Sequence, residues 1–297
     1  MIAAIRSALF VPGDSPTKLA KSLSAGADAL ILDLEDSVAA ERKEAARKTT
    51  LAFLEEAQER QPRPLLMVRV NALDTGLTDA DLDAVVAGRP DAIMQPKAEG
   101  GAAVAHLDAK LTAREAIHGL PEGEIRIVAL ATETASALFV AGTYGGASPR
   151  LMGLSWGAED LSADLGAETN RDAEGQFTEP FRFARNLCLA GAAAAKIQAI
   201  DTVYIDFRNP EGLKREAEEA RRDGFTAKLA IHPGQVATIN EVFTPSSAAI
   251  AKARAVISAF AANPGAGVVG IEGVMFDRPH LERAKRLLAR AEAAGLA

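Results

Sequence analysis

The chain has 297 residues, 48% hydrophobic and 25% charged, which is room for one large domain or two small ones and excludes long disorder, collagen-like repeats and disulfide scaffolds. Its 33 basic and 40 acidic residues give a net charge of -7, which argues against a nucleic-acid-binding surface. The single cysteine, Cys188, lies in the apolar run Asn186-Leu-Cys-Leu-Ala190 and reads as a small core residue rather than a reactive thiol.

Arg6 and Pro12 interrupt the N-terminal apolar residues before a signal-peptide core can form, and no uncharged apolar stretch approaches the ~18 residues of a membrane helix. A soluble, cytoplasmic protein without a membrane partner is expected. Short aliphatic runs then alternate with longer alanine-rich stretches of helical period. Strands are predicted over residues 7–11, 29–34, 65–70, 92–95, 125–130, 151–154, 202–205 and 228–231, with helices between them such as 17–24, 39–58 and 181–199. Eight strand-helix units over about 240 residues predict an α/β fold, a (β/α)8 TIM barrel with right-handed crossovers. Residues 1–245 are assigned to this catalytic domain. Residues 246–297, read as a helix over 246–262, a short strand over 267–271 and a charged helix from Pro279, form a C-terminal extension that acts as a lid or subunit contact.

In such a barrel the chemistry sits where the strands end. The ends read Pro12-Gly-Asp14, Asp33-Leu-Glu35-Asp36, Arg69-Val-Asn71, Pro96-Lys97, Glu133-Thr134, Gly157-Ala-Glu-Asp160, Asp206 and His232-Pro233. Any one of these is an ordinary polar turn, but carboxylates after strands 2, 5 and 6 repel one another unless a cation joins them. The four histidines, His106, His118, His232 and His280, show no paired spacing, so zinc is disfavoured. Oxygen ligands favour Mg2+, and Glu133 and Asp160 on successive strands can supply the one or two carboxylates it takes. The competing reading of Glu159 and Asp160 is as first-turn acids that complement a helix dipole. Arg69 can clamp a substrate carboxylate or offset enolate charge, or it can pair with Asp33 or Glu35. Lys97 is an orienting lysine or, in a metal-free aldolase, a Schiff-base amine. Glu35 and Asp36 support the site from behind.

Two motifs compete with this reading. Gly265-Ala-Gly267-Val-Val-Gly270 fits a dinucleotide-binding pattern but follows a helix and Asn-Pro. Gly153-Leu-Ser155-Trp-Gly157 fits a nucleophile elbow, with Asp206 and His232 following in hydrolase order. A serine hydrolase using Ser155 and a non-catalytic binding subunit therefore remain as alternatives.

Arg6-Ser-Ala-Leu-Phe-Val-Pro-Gly-Asp14, Leu32-Asp-Leu-Glu-Asp-Ser-Val38, Val68-Arg-Val-Asn71, Gln95-Pro-Lys97 and Gly157-Ala-Glu-Asp-Leu161 closely resemble the citrate lyase β-subunit-like group of the HpcH/HpaI aldolase superfamily. The likeness runs from Arg6 to Asp277-Arg-Pro279 and implies a magnesium-dependent TIM-barrel lyase that joins or cleaves an acyl-thioester enolate and a 2-oxo acid. Partners would be an acyl-CoA or acyl-carrier thioester and the oxo acid, in a homo-oligomer, trimer or hexamer. Thioesterase or malate-synthase-like activity on malyl-CoA-type substrates is the related alternative. By resemblance Glu133 and Asp160 match the metal ligands, with Glu133 also facing substrate, and Arg69 matches the substrate arginine. Arg6 and Lys18 match basic residues near substrate or carrier, Lys97 and His232 border the substrate, and Asp277 matches a tail acid that reaches a neighbouring subunit's site. At Ile271-Glu-Gly-Val-Met-Phe-Asp277 the chain departs from the group, since Val274 stands where citrate lyase β subunits usually carry lysine. This favours CoA thioesters.

Overall fold

The structure, a computed structural model, describes residues 5–296; residues 1–4, which bear on the expectation about an N-terminal leader, and residue 297 lie outside the described residues. Strand β1 (Ser7–Pro12) leads to α1 (Pro16–Ser22), β2 (Ala29–Asp33), α2 (Lys43–Gln58), β3 (Leu65–Arg69) and α3 (Thr78–Val85). The chain continues through β4 (Ala92–Gln95), α4 (Gly100–Ile117), β5 (Arg126–Leu130), the single-turn α5 (Ala135–Leu138) and β6 (Leu151–Ser155). Two helices follow, α6 (Ala158–Leu165) and α7 (Glu179–Ala195), then β7 (Gln198–Asp201), α8 (Pro210–Asp223), β8 (Ala227–Ala230) and α9 (Pro233–Phe243). Strands β1 to β8 pair in parallel in chain order and β8 closes on β1, which is the expected barrel. Among the described residues no helix is long and apolar enough to cross a membrane.

Both faces of the strands are covered, which explains why they read as unbroken apolar runs rather than as alternating ones. One set of alternate residues, including Ala8, Ala29, Ile31, Met67, Met94, Val128 and Leu130, fills the barrel interior. The other set, including Leu9, Leu30, Leu66, Ile93 and Ile127, is equally buried on the opposite face. Fully burying each such aliphatic side chain contributes about 1.5–3 kcal/mol. Cys188, on α7, is buried as a core residue.

The seventh strand departs from expectation. It spans Gln198–Asp201, and residues 202–205 lie in the loop after it rather than in the strand. The alanine run extended the predicted helix to 199, whereas Lys196 takes a left-handed conformation at φ 59° and ends α7 at Ala195. The acid that ends this strand is therefore Asp201, not Asp206. Asp201 is buried and accepts from Lys228 Nζ at 2.7 Å and Trp156 Nε1 at 2.9 Å.

The described chain divides into two compact units, Ile5–Ile239 and the residues from Asn240 on, so the boundary falls inside α9 and ahead of residue 245. The second unit holds α10 (Ser247–Ala262), the antiparallel pair β9 (Val268–Ile271) and β10 (Val274–Asp277), and α11 (Arg278–Ala293). Its own apolar cluster joins Val256, Phe260, Val269, Phe276 and Leu281. Glu272 and Gly273 both take positive φ, 49° and 78°, the requirement of a tight two-residue hairpin turn. Gly267 and Gly270 thus belong to a hairpin rather than to a strand-to-helix phosphate loop, which removes the dinucleotide alternative.

Candidate active site

The inward row of the barrel turns charged at its last positions. Asp33 lies two residues beyond Ile31 and Arg69 two beyond Met67, so both reach the mouth, and the β2–β3 register sets them side by side. Arg69 donates from Nε to Asp33 Oδ1 at 2.7 Å and from Nη2 to Asp33 Oδ2 at 2.8 Å, a two-pronged clamp. Its Nη1 is left facing Glu35 Oε2 at 3.1 Å and Asp36 Oδ2 at 3.4 Å, and the Phe10 ring lies 4.8 Å from the guanidinium carbon. Arg69 therefore does pair with Asp33 and Glu35, and its Nη1 also donates to Asp36.

Lys97 links this clamp to the acids of the next strands. It follows β4 in a left-handed conformation, φ 48°, which aims its backbone N–H at Glu133 Oε2, 2.7 Å away. Its ammonium donates to Glu35 Oε1 at 2.7 Å and lies 3.1 Å from Asp160 Oδ1 in the first turn of α6. Glu35 Oε2, although close to Arg69 Nη1, is misaligned for a hydrogen bond and is buried without one. Five carboxylates (Asp33, Glu35, Asp36, Glu133 and Asp160) thus surround two cations, a formal excess of three negative charges when all are ionised. Arg69, Glu133 and Asp160 line a cleft of about 80 Å³ with Phe10, Trp156 and Gly157.

This crowding drives the carboxyls apart in acidity. Burial would raise Asp33, but the Arg69 fork and the N–H groups of Ser37 and Glu35 outweigh it and hold Asp33 below the usual carboxylate range. For Glu35 burial wins over the attraction of Arg69 and Lys97, and its carboxyl is raised. Glu133 is raised most, to about 8, first by burial and then by the negative charge of Asp160. Burial alone would lower Lys97, yet Glu35 and Asp160 raise it and keep it an ammonium, the opposite of what a Schiff-base amine needs.

The donor set suits Mg2+. Glu133 Oε2 is held by Lys97, so Oε1, against Gly157, is the oxygen that could hold an ion. Among the described residues no three His, Cys, Asp or Glu side chains form a ready cage. Mg2+ requires only one or two protein carboxylates and completes its shell with water and substrate oxygens.

Of the other sequence-predicted residues, Arg6 is not brought to this site. It precedes β1 and binds Asp28, which precedes β2, with Nε–Oδ2 at 2.8 Å and Nη2–Oδ1 at 2.7 Å. The length of a strand, about 20 Å, separates it from the mouth. Its role here is to fasten the opposite face of the barrel. Lys18, exposed on α1, and His232, exposed after β8, stand on the mouth side, and His232 stacks on Phe207 with ring centroids 4.9 Å apart. Asp277 caps α11 in the second unit by accepting from the His280 N–H. Ser155 Oγ is buried without a hydrogen-bond partner, and His232 Nδ1 accepts from the Gly234 N–H, so no Ser-Asp-His relay forms. Asp33, Phe10 and Gly157 escaped the sequence reading as site residues. The sequence already offers Asp33 as a pairing partner of Arg69, and the strand register sets the two side by side.

The HpcH/HpaI aldolase/citrate lyase family model matches residues 6–233. The chain is 38% identical over 293 residues to the citrate lyase subunit beta of Escherichia coli (strain K12), covering 98% of this chain and 94% of that one. It is 36% identical over 290 residues to a (3S)-malyl-CoA thioesterase of Cereibacter sphaeroides (strain KD131 / KCTC 12085), covering 97% and 95%. Among solved structures, the protein CitE from Mycobacterium tuberculosis in complex with magnesium, acetoacetate and coenzyme A superposes with a TM-score of 0.77 at 34% identity, over 98% of each chain.

The acidity of Glu133 is measurable in chelator-treated protein. Its folded pKa, about 8, lies above the unfolded value of 4.5, so between them the folded state keeps a proton that the unfolded chain has released. Stability therefore falls as pH rises across that window and levels off above it. Glu133→Gln lacks this slope, and its urea midpoint should gain on wild type from about pH 5 to about pH 8.5. Parallel curves would show that Glu133 ionises normally.

Proposed function

The chain belongs to the HpcH/HpaI aldolase/citrate lyase family, and from that premise we propose that it is a magnesium-dependent carbon-carbon lyase. Its substrate is a 3-hydroxyacyl thioester such as malyl-CoA, citramalyl-CoA or a citryl thioester, cleaved to an acyl thioester and a 2-oxo acid. The observation that carries this reading is the Glu133–Asp160 pair, oxygen donors set beside the Arg69 fork in one cleft. The magnesium and coenzyme A bound by the structural relative support it.

Glu133 and Asp160 hold the ion, which when bound supplies Lewis acidity toward hydroxyl and carboxylate oxygens of the substrate. Arg69, its plane fixed by Asp33, offers Nη1, in exchange for its long 3.4 Å bond to Asp36, to a substrate carboxylate or to the oxygen that gathers charge as the carbon-carbon bond breaks. Lys97 holds Glu35 and Asp160 at their spacing and borders the substrate. Lys18 and His232, beyond the neighbouring strands β1 and β8, are assigned to the carrier side. A thioesterase is the second reading, favoured by the malyl-CoA thioesterase relative, and it needs only a change of the bond attacked.

We assign Asp277 to the site of a neighbouring subunit in a homo-oligomer, with the extension as the arm or lid that carries it. There the carboxylate can act as general base toward the acyl methyl group or a hydrolytic water. This places a homo-oligomer, a trimer or hexamer, as the active species.

Four outcomes are expected. Glu133→Gln and Asp160→Asn should each abolish turnover and weaken Mg2+ binding in titration calorimetry with the fold intact. Wild type should release acyl thioester and 2-oxo acid, whereas free thiol plus hydroxy acid would establish the thioesterase and no product a binding subunit. Arg69→Lys keeps the charge and loses the fork, so kcat/KM should drop roughly 10²-fold or more; full activity would remove Arg69 from the mechanism. Asp277→Asn retains the helix cap while removing the charge, so mixing it with Glu133→Gln under subunit exchange should regenerate activity. Exchange without recovery, given an inactive Asp277→Asn, would rule out a shared site.

A further inference from the structure

We infer that Gly157 is a positioning residue: its missing side chain is the space in which the Glu133 carboxylate sits. A Cβ built at Gly157 would lie 2.6 Å from Glu133 Oε1, 2.8 Å from its Cγ and 3.1 Å from its Cδ, so the three nearest atoms all belong to this one side chain. The backbone does not demand glycine here. Gly157 caps α6 at φ -129° and ψ 116°, an extended conformation that any residue adopts. The requirement is one of contact, and the two walls of the contact differ in how firmly they are held.

On one side, Glu133 is tethered at one oxygen only, Oε2, which accepts from the Lys97 N–H at 2.7 Å. That turn is itself tied across the strands, with Ala98 N–H donating to Leu130 O at 3.0 Å and the Lys97 ammonium held by Glu35. On the other side, Trp156 precedes Gly157, is fully buried, and donates its indole N–H to Asp201, which in turn holds buried Lys228. The Gly157 backbone is anchored through this chain and cannot swing away. A methyl group added here must therefore push the carboxylate, the softer of the two walls, off its position opposite Asp160. Extra atoms in a filled site displace whichever neighbour yields.

The inference rests on the reading of Glu133 as a metal-holding residue, and it deepens that reading by naming what sets the carboxylate's place. The test is a double-mutant cycle on the full chain between Gly157→Ala and Glu133→Asp, the latter one methylene shorter. It is read two ways: Mg2+ affinity by titration calorimetry, and melting temperature in chelator without metal. With magnesium, Gly157→Ala should bind at least tenfold more weakly than wild type. Glu133→Asp should weaken binding in the glycine background and strengthen it in the alanine background. Without metal, Gly157→Ala should melt several degrees lower, and Glu133→Asp should restore part of that loss. If Gly157→Ala alone fails to fold, recovery of a folded double variant supports the inference, and a double variant that also fails overturns it. Affinity within twofold of wild type, or melting shifts that simply add, also overturns it. Absence of magnesium binding by wild type would instead remove the metal reading, and the melting cycle would still decide whether Gly157 positions Glu133.

Discussion

Too many carboxylates converge on the barrel mouth for the cations that accompany them, and the site is organised around that imbalance. Arg69 satisfies Asp33 with two parallel bonds, and Lys97 is divided between Glu35 and Asp160. Among the described residues Glu133 has a single backbone N–H from Lys97 and no side-chain cation bonded to it. Two acids within one mouth are thereby driven in opposite directions: Asp33 stays strongly acidic while Glu133 rises to about 8. The proposed divalent cation, held by Glu133 and Asp160, would offset the negative charge that Arg69 and Lys97 leave uncompensated.

Rigidity comes from where these groups stand. Asp33 and Arg69 are the last residues of strands, and Lys97 and Glu133 follow within two or three residues of theirs, so the barrel hydrogen bonds fix their backbones. Behind Gly157 a buried chain runs from Trp156 through Asp201 to Lys228 and on to Glu216. Buried charges of this kind are stable only when each finds a partner, and here each does. The clefted face is thus backed by apolar packing within the barrel and by ion pairs outside it.

Similarity to both a citrate lyase β subunit and a malyl-CoA thioesterase is compatible with the proposed thioester substrate under either reading. Barrel, acid pair and arginine suit either reaction, because each needs the substrate oxygens held and the thioester group presented. The difference lies in which bond is attacked, and therefore in where a base or a water stands, rather than in the fold.

Eight strand-helix periods, their polar ends and the place of Arg69, Lys97, Glu133 and Asp160 at those ends were legible in the sequence, because apolar runs and strand endings are local properties of the chain. The seventh strand was misread where an alanine run imitated continued helix and the β-branched Thr202-Val203 imitated strand; only Lys196, left-handed in the folded chain, ends the helix where it does. Arg6, next to a motif that ends at the mouth, proved to lie at the other end of the same strand, since six residues of β1 intervene. The choice of Asp33 over Glu35 for the Arg69 fork, the burial that raises Glu133 and the close approach of Glu133 to Gly157 were decided by tertiary structure. Each joins residues 24 to 36 positions apart, and only barrel closure and strand register bring such residues within contact.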